Sequence, residues 1–357
     1  MKVAILANNK NSYPRPMAQG LARMLARLGV ESRIFKNAWL IMNQASQSRS
    51  GLAIAKRSVK SILWRRLLRQ LREFDLVVVV SHVPAAYMRY FFHDEEMRQA
   101  LPKTPIVLYD LVYLPTRGDW LSRALREGDP EVGIATGGHF GIERYDWHLC
   151  ASVVNHIPMP AEPQPCSLIG IDLDDGSLYP DQRGAFVALL DFEQAAHLGE
   201  REVQRKALRE TGTSYLELKG QYTTKEIREV YRKCALFFLA FRESFGLPIC
   251  EAQACGSYVC TPYDHWCPSH WMKADLRVPG PGELTSNFLV YNNDLPTLIA
   301  QIERAKQAYE PQAIREKFLT TQGALYRGDL AELERFLGMV RSGEIHAGLR
   351  SRQPISV

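Results

Sequence analysis

Residues 235–256 read Ala235-Leu-Phe-Phe-Leu-Ala-Phe241-Arg242-Glu243-Ser244-Phe245-Gly246-Leu247-Pro248-Ile249-Cys250-Glu251-Ala252-Gln253-Ala254-Cys255-Gly256. An apolar run of strand length gives way to a short polar turn and then to a segment with the marks of a helix start. Two carboxylates, Glu243 and Glu251, bracket a glycine with seven residues between them. In a parallel α/β domain such a turn brings the carboxyl edge of the sheet to a helix N-terminus, a place suited to a phosphorylated ligand.

Strand and helix patterns alternate around this turn. Strands are expected over 185–190, 214–218, 235–240, 258–261 and 286–291, with helices over 193–211, 224–234, 249–254 and 294–308 and further helices from Pro311 to about Val340. The first half repeats the theme: strand 3–7, helix 17–28 opened by Pro16 and ended by Gly29, strand 31–35, and apolar strands over 74–82, 104–111 and 146–155. No GxGxxG turn follows the first strand, so a dinucleotide site is not expected there. Pro158, Pro160, Pro163 and Pro165 mark a seam. The expected organisation is an α/β chain with residues 1–160 as one Rossmann-like domain, 161–325 as a second, and 326–357 as a closing helix and tail. In the first half, His82 and Asp110 stand where strands should meet the crevice, and Asn9, Lys10 and Arg15 belong to the loop after the first strand.

Charge is unevenly spread. The chain of 357 residues carries a formal +5, yet residues 32–72 hold no acid at all. Within that stretch, residues 52–71 are compatible with a helix. There Arg57, Lys60, Arg65, Arg66 and Arg69 interleave with apolar residues, and Trp64 stands where an interfacial anchor would. Such a helix suits an anionic membrane surface or an acidic acceptor. It equally suits a helix packed on the core with a solvated basic face. Nucleic acid is a poor partner, because no recognised binding module accompanies the charge.

Seven cysteines, none in a CxxC pair, read as reduced and largely buried thiols. Residues 1–7 have the length of a buried strand and no leader pattern, and no apolar stretch is long enough to span a bilayer. No His/Cys/Asp cluster has metal-ligand spacing; Asp172, Asp174 and Asp175 do not follow a calcium-loop pattern and read as a solvated turn.

The segment from Phe241 to Gly256 resembles the E-x7-E motif of retaining, GT-B-fold glycosyltransferases of the GT4-like, glycogen-synthase-related group. The likeness covers the core of the second domain; the first domain shares only the layout. It implies two Rossmann-like domains facing across a cleft, with a C-terminal helix crossing back to the first. It further implies a nucleotide-sugar donor, a glycan or lipid-linked acceptor, no further cofactor and no metal. Carried over by position, Glu251 would hold the ribose, Glu243 would sit by the donor sugar, and Ser244, Phe245, Gly246 and Leu247 would meet the diphosphate or sugar. His82 and Asp110 would stand with Glu243 on the catalytic side. The resemblance suggests a cytoplasmic protein, peripheral on the inner membrane face. Its alternative is a catalytically degenerate paralogue that binds without turnover.

One departure matters. Family members carry an Arg and a Lys just beyond the first strand of the second domain, gripping the diphosphate. Here Asp191-Phe192-Glu193 follows that strand. Arg201, Arg205 and Lys206 come later and are expected to face solvent; either Lys10, Arg15, Lys219 or a basic residue near Trp266 supplies the charge, or the donor is unusual, or the chain is a degenerate homologue.

Overall fold

The computed structural model describes residues 1–7, 14–35, 51–80, 94–113, 145–153, 166–181, 185–239, 246–261, 270, 282–292 and 294–349. The chain divides into two compact units. Residues 1–153, 159–172 and 328–357 make the first, and residues 154–158 and 173–327 the second.

In the first unit, β1 (Lys2–Leu6), β2 (Glu31–Phe35), β3 (Leu76–Val80), β4 (Ile106–Tyr113), β5 (Trp147–Val153) and β6 (Cys166–Leu168) form one parallel sheet, ordered β2-β1-β3-β4-β5-β6. β3 reads Leu-Val-Val-Val-Val and is buried at every position, as a central parallel strand covered on both faces must be. α1 (Pro14–Arg27) lays Met17, Leu21, Met24 and Leu25 into the core at helical spacing. α2 (Gly51–Leu71) and α3 (Asp94–Ala100) follow. β6 corrects the expected boundary at 160: too short and too close to the prolines to read as a strand, it adds to the first sheet beside β5.

The second unit carries β7 (Ala188–Leu190), β8 (Tyr215–Glu217), β9 (Leu236–Phe238), β10 (Tyr258–Thr261) and β11 (Phe288–Val290), all parallel in the order β11-β10-β9-β7-β8. Its helices are α4 (Leu198–Glu210), α5 (Thr224–Lys233), α6 (Leu247–Ala254), α7 (Leu295–Gln307), α8 (Pro311–Thr321) and α9 (Ala324–Arg327). Leu190, Phe238 and Tyr291 from the sheet pack with Leu208 of α4 and Leu298 and Ile302 of α7. α5 starts at Thr224, where the sequence places it, and its N-cap Thr223 forms a capping box with Glu226. α6 starts at Leu247, with Gly246 as its N-cap, two residues earlier than its apolar pattern suggests and with Pro248 in its first turn. It ends at Gly256, whose φ of +82° and close approach to Pro311 exclude a side chain. Arg315 of α8 donates to the carbonyls of Ala254 and Leu178, satisfying an orphan acceptor at the end of α6. α10 (Leu330–Ser342), capped by Asp329, belongs to the first unit and packs against β6.

In each sheet the strand order reverses once, between β1 and β3 and between β7 and β9. Outside the carboxyl ends of such strands lies the crevice that open α/β sheets use for ligands. Among the described cysteines, Cys150, Cys234, Cys250, Cys255 and Cys260 are buried, Cys166 is half-buried, and all six are reduced thiols. Burial pushes the Cys234 thiol up to about 12.

Candidate functional site

β9 ends at the second unit's reversal point. Beyond it, Leu239 is the last described residue before 240–245 and Gly246 the first after them. Glu243, Ser244 and Phe245 lie outside the described residues. Gly246 serves as the N-cap of α6 and Leu247 as its first residue, so helix-start amides without a side-chain cap stand at the carboxyl edge of the sheet.

Glu251 lies one turn further along α6 and is nearly buried. Arg228 of α5 donates to its Oε1 twice, from Nε at 2.9 Å and from Nη2 at 2.7 Å. Arg228 Nη1 reaches the other way, to Asp175 Oδ2 at 2.5 Å and Ser177 Oγ at 2.8 Å. Oε2 of Glu251 receives no hydrogen bond from a described residue. Burial pushes the Glu251 carboxyl up, and Arg228 pulls it partway back. Asp175 is held below the usual carboxylate range by its bonds from Ser177 and by Arg228, against the opposing effect of burial.

Asp191, following β7, and Leu239, following β9, are joined by a polar network from α4. Arg201 Nη2 donates to the Asp191 carbonyl at 2.8 Å, and Nη1 to Gln204 Oε1 at 2.5 Å. Gln204 Nε2 donates to the Leu239 carbonyl at 3.1 Å and the Tyr291 hydroxyl at 2.7 Å. Arg201 is 3% exposed, which corrects the expectation that it faces solvent. Arg201, Gln204 and Leu208 share one helical face, so the i, i+3, i+7 spacing carried a signal that the charge of Arg201 masked. Burial pulls its guanidinium below the usual range.

The neighbouring acids are occupied. Arg205 pairs with Glu193 at 2.6 Å, Glu202 at 2.6 Å and Glu217 at 2.8 Å. Lys219, a candidate phosphate cation, pairs with Glu217 at 3.0 Å and is highly exposed. Asp191 Oδ1 accepts from the Phe192 amide.

The first unit brings fewer of the expected residues together. Asp110 does not end its strand: β4 continues to Tyr113, and Asp110 is buried opposite Cys150 with its Oδ1 accepting from the Leu111 amide. Arg15 lies in α1 rather than in a loop, because the helix begins at Pro14. His82, Asn9, Lys10 and the Arg57 side chain lie outside the described residues. Trp64 is not an interfacial anchor. It is 4% exposed and packs inward with Leu67 and Leu71, the i, i+3, i+7 face of α2, while Arg65, Arg66 and Arg69 are exposed and Lys60 is half-buried. The acids near 172 are not a solvated cluster: Arg23 and Arg27 hold buried Asp172 at 3.1 and 3.0 Å, and Arg327 pairs with Asp174. No group of three or more metal-ligand side chains occurs among the described residues.

No family model matches the chain, and no curated protein matches it in sequence. Solved structures do match in fold. The catalytic domain of starch synthase IV from Arabidopsis thaliana, bound to ADP and acarbose, is 12% identical with a TM-score of 0.53, covering 96% of this chain and 99% of that one. UDP-GlcNAc 2-epimerase from Neisseria meningitidis, bound to UDP-GlcNAc, is 12% identical with a TM-score of 0.49, covering 95% and 100%. Anabaena Alr3699/HepE, in complex with UDP and glucose, is 12% identical with a TM-score of 0.48, covering 96% and 100%. The fold is α/β, with two parallel sheets flanked by helices as in GT-B proteins.

Proposed function

We propose that the chain is a glycosyltransferase of the glycogen-synthase-related kind, moving a sugar with retention from a nucleotide-sugar to a glycan or lipid-linked acceptor. The observation that carries the reading is the Glu251 carboxylate, fixed through Oε1 by Arg228 and bare of described donors at Oε2. An ionised carboxylate oxygen of this kind accepts from ribose hydroxyls. In this reading Glu243, at the other end of the seven-residue spacing, serves the donor sugar, and Ser244 and Phe245, next to it in sequence, serve the diphosphate or sugar. The amides of Gly246 and Leu247 at the α6 start are donors for the charge that develops on the departing diphosphate. The donor is the only small molecule required, and transfer survives chelation of divalent cations.

Calorimetry against UDP-, GDP-, ADP- and TDP-sugars tests the reading: one of them binds, and Glu251→Ala abolishes the binding. Absence of binding to all four overturns it. The missing Arg/Lys pair after β7 favours a second reading, a paralogue that binds donor without turnover. Nucleotide release in the presence of an acceptor library separates the two.

The reading extends to a membrane surface. Leu52, Val59, Ile62 and Leu63 of α2 are exposed, and they account for four of the nine large exposed apolar residues among the described ones. With Arg65, Arg66 and Arg69 also exposed, this face combines apolar and basic groups as peripheral helices do. No helix among the described residues is long and apolar enough to cross a membrane.

A further inference from the structure

We propose that Arg201 is the cation that receives the diphosphate of the nucleotide donor, in place of the basic pair that does not follow β7. The inference rests on the nucleotide-sugar reading above and deepens it by naming the group that meets the phosphates. Three observations carry it.

The first is placement. Arg201 and Gln204 tie the carbonyl of Asp191, beyond β7, to that of Leu239, beyond β9, and these are the two strands between which the sheet order reverses. Ligands of open parallel sheets bind outside the carboxyl ends of that pair. In sequence, Leu239 stands four residues before Glu243.

The second is charge. Arg201 is 3% exposed, yet its hydrogen bonds among the described residues end on neutral oxygens, a backbone carbonyl and a side-chain amide. No described carboxylate lies within ion-pair distance of it. A buried charge held only by neutral groups is unfavourable until an anion joins it. A diphosphate is such an anion, and the planar guanidinium fork suits its oxygens.

The third is the state of the surrounding charges. Glu193, Glu202 and Glu217 are all taken up by Arg205, and Lys219 is spent on Glu217. Asp191 and Glu217 act on Arg201 through space without an ion pair, and burial outweighs them. The exposed cation nearest in sequence to β8 is committed elsewhere, which leaves Arg201 as the buried cation at this edge with no ion pair among the described residues.

The test uses the full chain and compares binding of UDP, GDP and ADP with binding of uridine, guanosine and adenosine. Three proteins are measured by calorimetry: wild type, R201Q and R201K. R201Q keeps a donor for the neutral acceptors and so retains the local fold, but it removes the charge; R201K keeps the charge. Whichever nucleoside diphosphate binds wild type should bind R201Q about tenfold or more weakly. Its parent nucleoside should bind both equally, and R201K should recover most of the loss. A purely structural Arg201 gives a different result: R201Q weakens nucleoside and nucleoside diphosphate alike, or weakens neither, and either outcome overturns the proposal. If wild type binds no nucleoside diphosphate, the nucleotide-sugar reading itself falls, and this inference falls with it.

Discussion

Arg228 and Glu251 meet through a single oxygen: Nε and Nη2 of the arginine both donate to Oε1, at 2.9 and 2.7 Å. Two donors on one oxygen use that oxygen's lone pairs and leave Oε2 for a ligand. The same arginine bonds to Asp175, so one cation fixes the candidate ribose carboxylate and ties α5 to the segment that opens the second unit.

Removing the arginine alone should be costly. Arg228→Leu leaves Glu251 and Asp175 without their cation, and breaking a buried pair on one side costs about 3–5 kcal/mol. The double variant Arg228→Leu, Glu251→Leu should recover part of that loss in urea unfolding. Strictly additive losses would show that the two side chains do not act as a pair.

His270 predicts a pH dependence. Its ring is fully buried beside Phe288, and burial lowers its pKa from 6.5 to about 3. The unfolded chain takes up the proton first as pH falls, so His270 contributes stability that is complete above about pH 6.5 and is lost between 6.5 and 3. The slope approaches about 1.4 kcal/mol per pH unit within that window. His270→Phe should flatten this part of the stability curve; an unchanged slope in chemical unfolding would remove His270 as its source.

Two glycines with similar backbones separate strain from packing. Gly256 and Gly343 have φ of +82° and +79°, but an added Cβ at Gly256 would meet Pro311 while one at Gly343 meets nothing within 4 Å. Gly343→Ala should cost about 1–2 kcal/mol, the left-handed backbone term. Gly256→Ala should cost clearly more in thermal or urea unfolding. Equal losses would mean that α8 yields freely at Pro311.

Liposome partitioning tests the basic face of α2. Replacing Arg65, Arg66 and Arg69 by Gln should weaken binding to anionic vesicles by about 1 kcal/mol per residue and leave binding to neutral vesicles unchanged. Equal partitioning of the variant and wild type would rule the membrane surface out.

Much of the fold was legible because buried parallel strands write themselves as short apolar runs. Leu76–Val80 and Leu236–Phe238 are such runs, and helices with caps or prolines at their starts frame them. β6 was not legible, since three residues beside a proline-rich seam carry no period. Trp64 and Arg201 were misread for the same reason: residue type was taken as a guide to exposure where helical spacing was the better one. Trp64 shares its face with Leu67 and Leu71, and Arg201 with Gln204 and Leu208. Glu251 stood out in the sequence through its spacing to Glu243. Its partner Arg228 did not, because a contact across 23 positions leaves no trace in a single sequence.

The buried thiols turn the second unit into its own clock. Cys250 and Cys255 flank Glu251 on and just beyond α6, and burial pushes the Cys255 thiol well above its usual value. A thiol that is both inaccessible and protonated reacts with alkylating reagents only when its surroundings open. The rate at which these two cysteines are labelled therefore reports how often the α6 region comes apart. Comparing that rate with and without a nucleotide would read whether a nucleotide steadies α6, without a fusion tag or an activity assay.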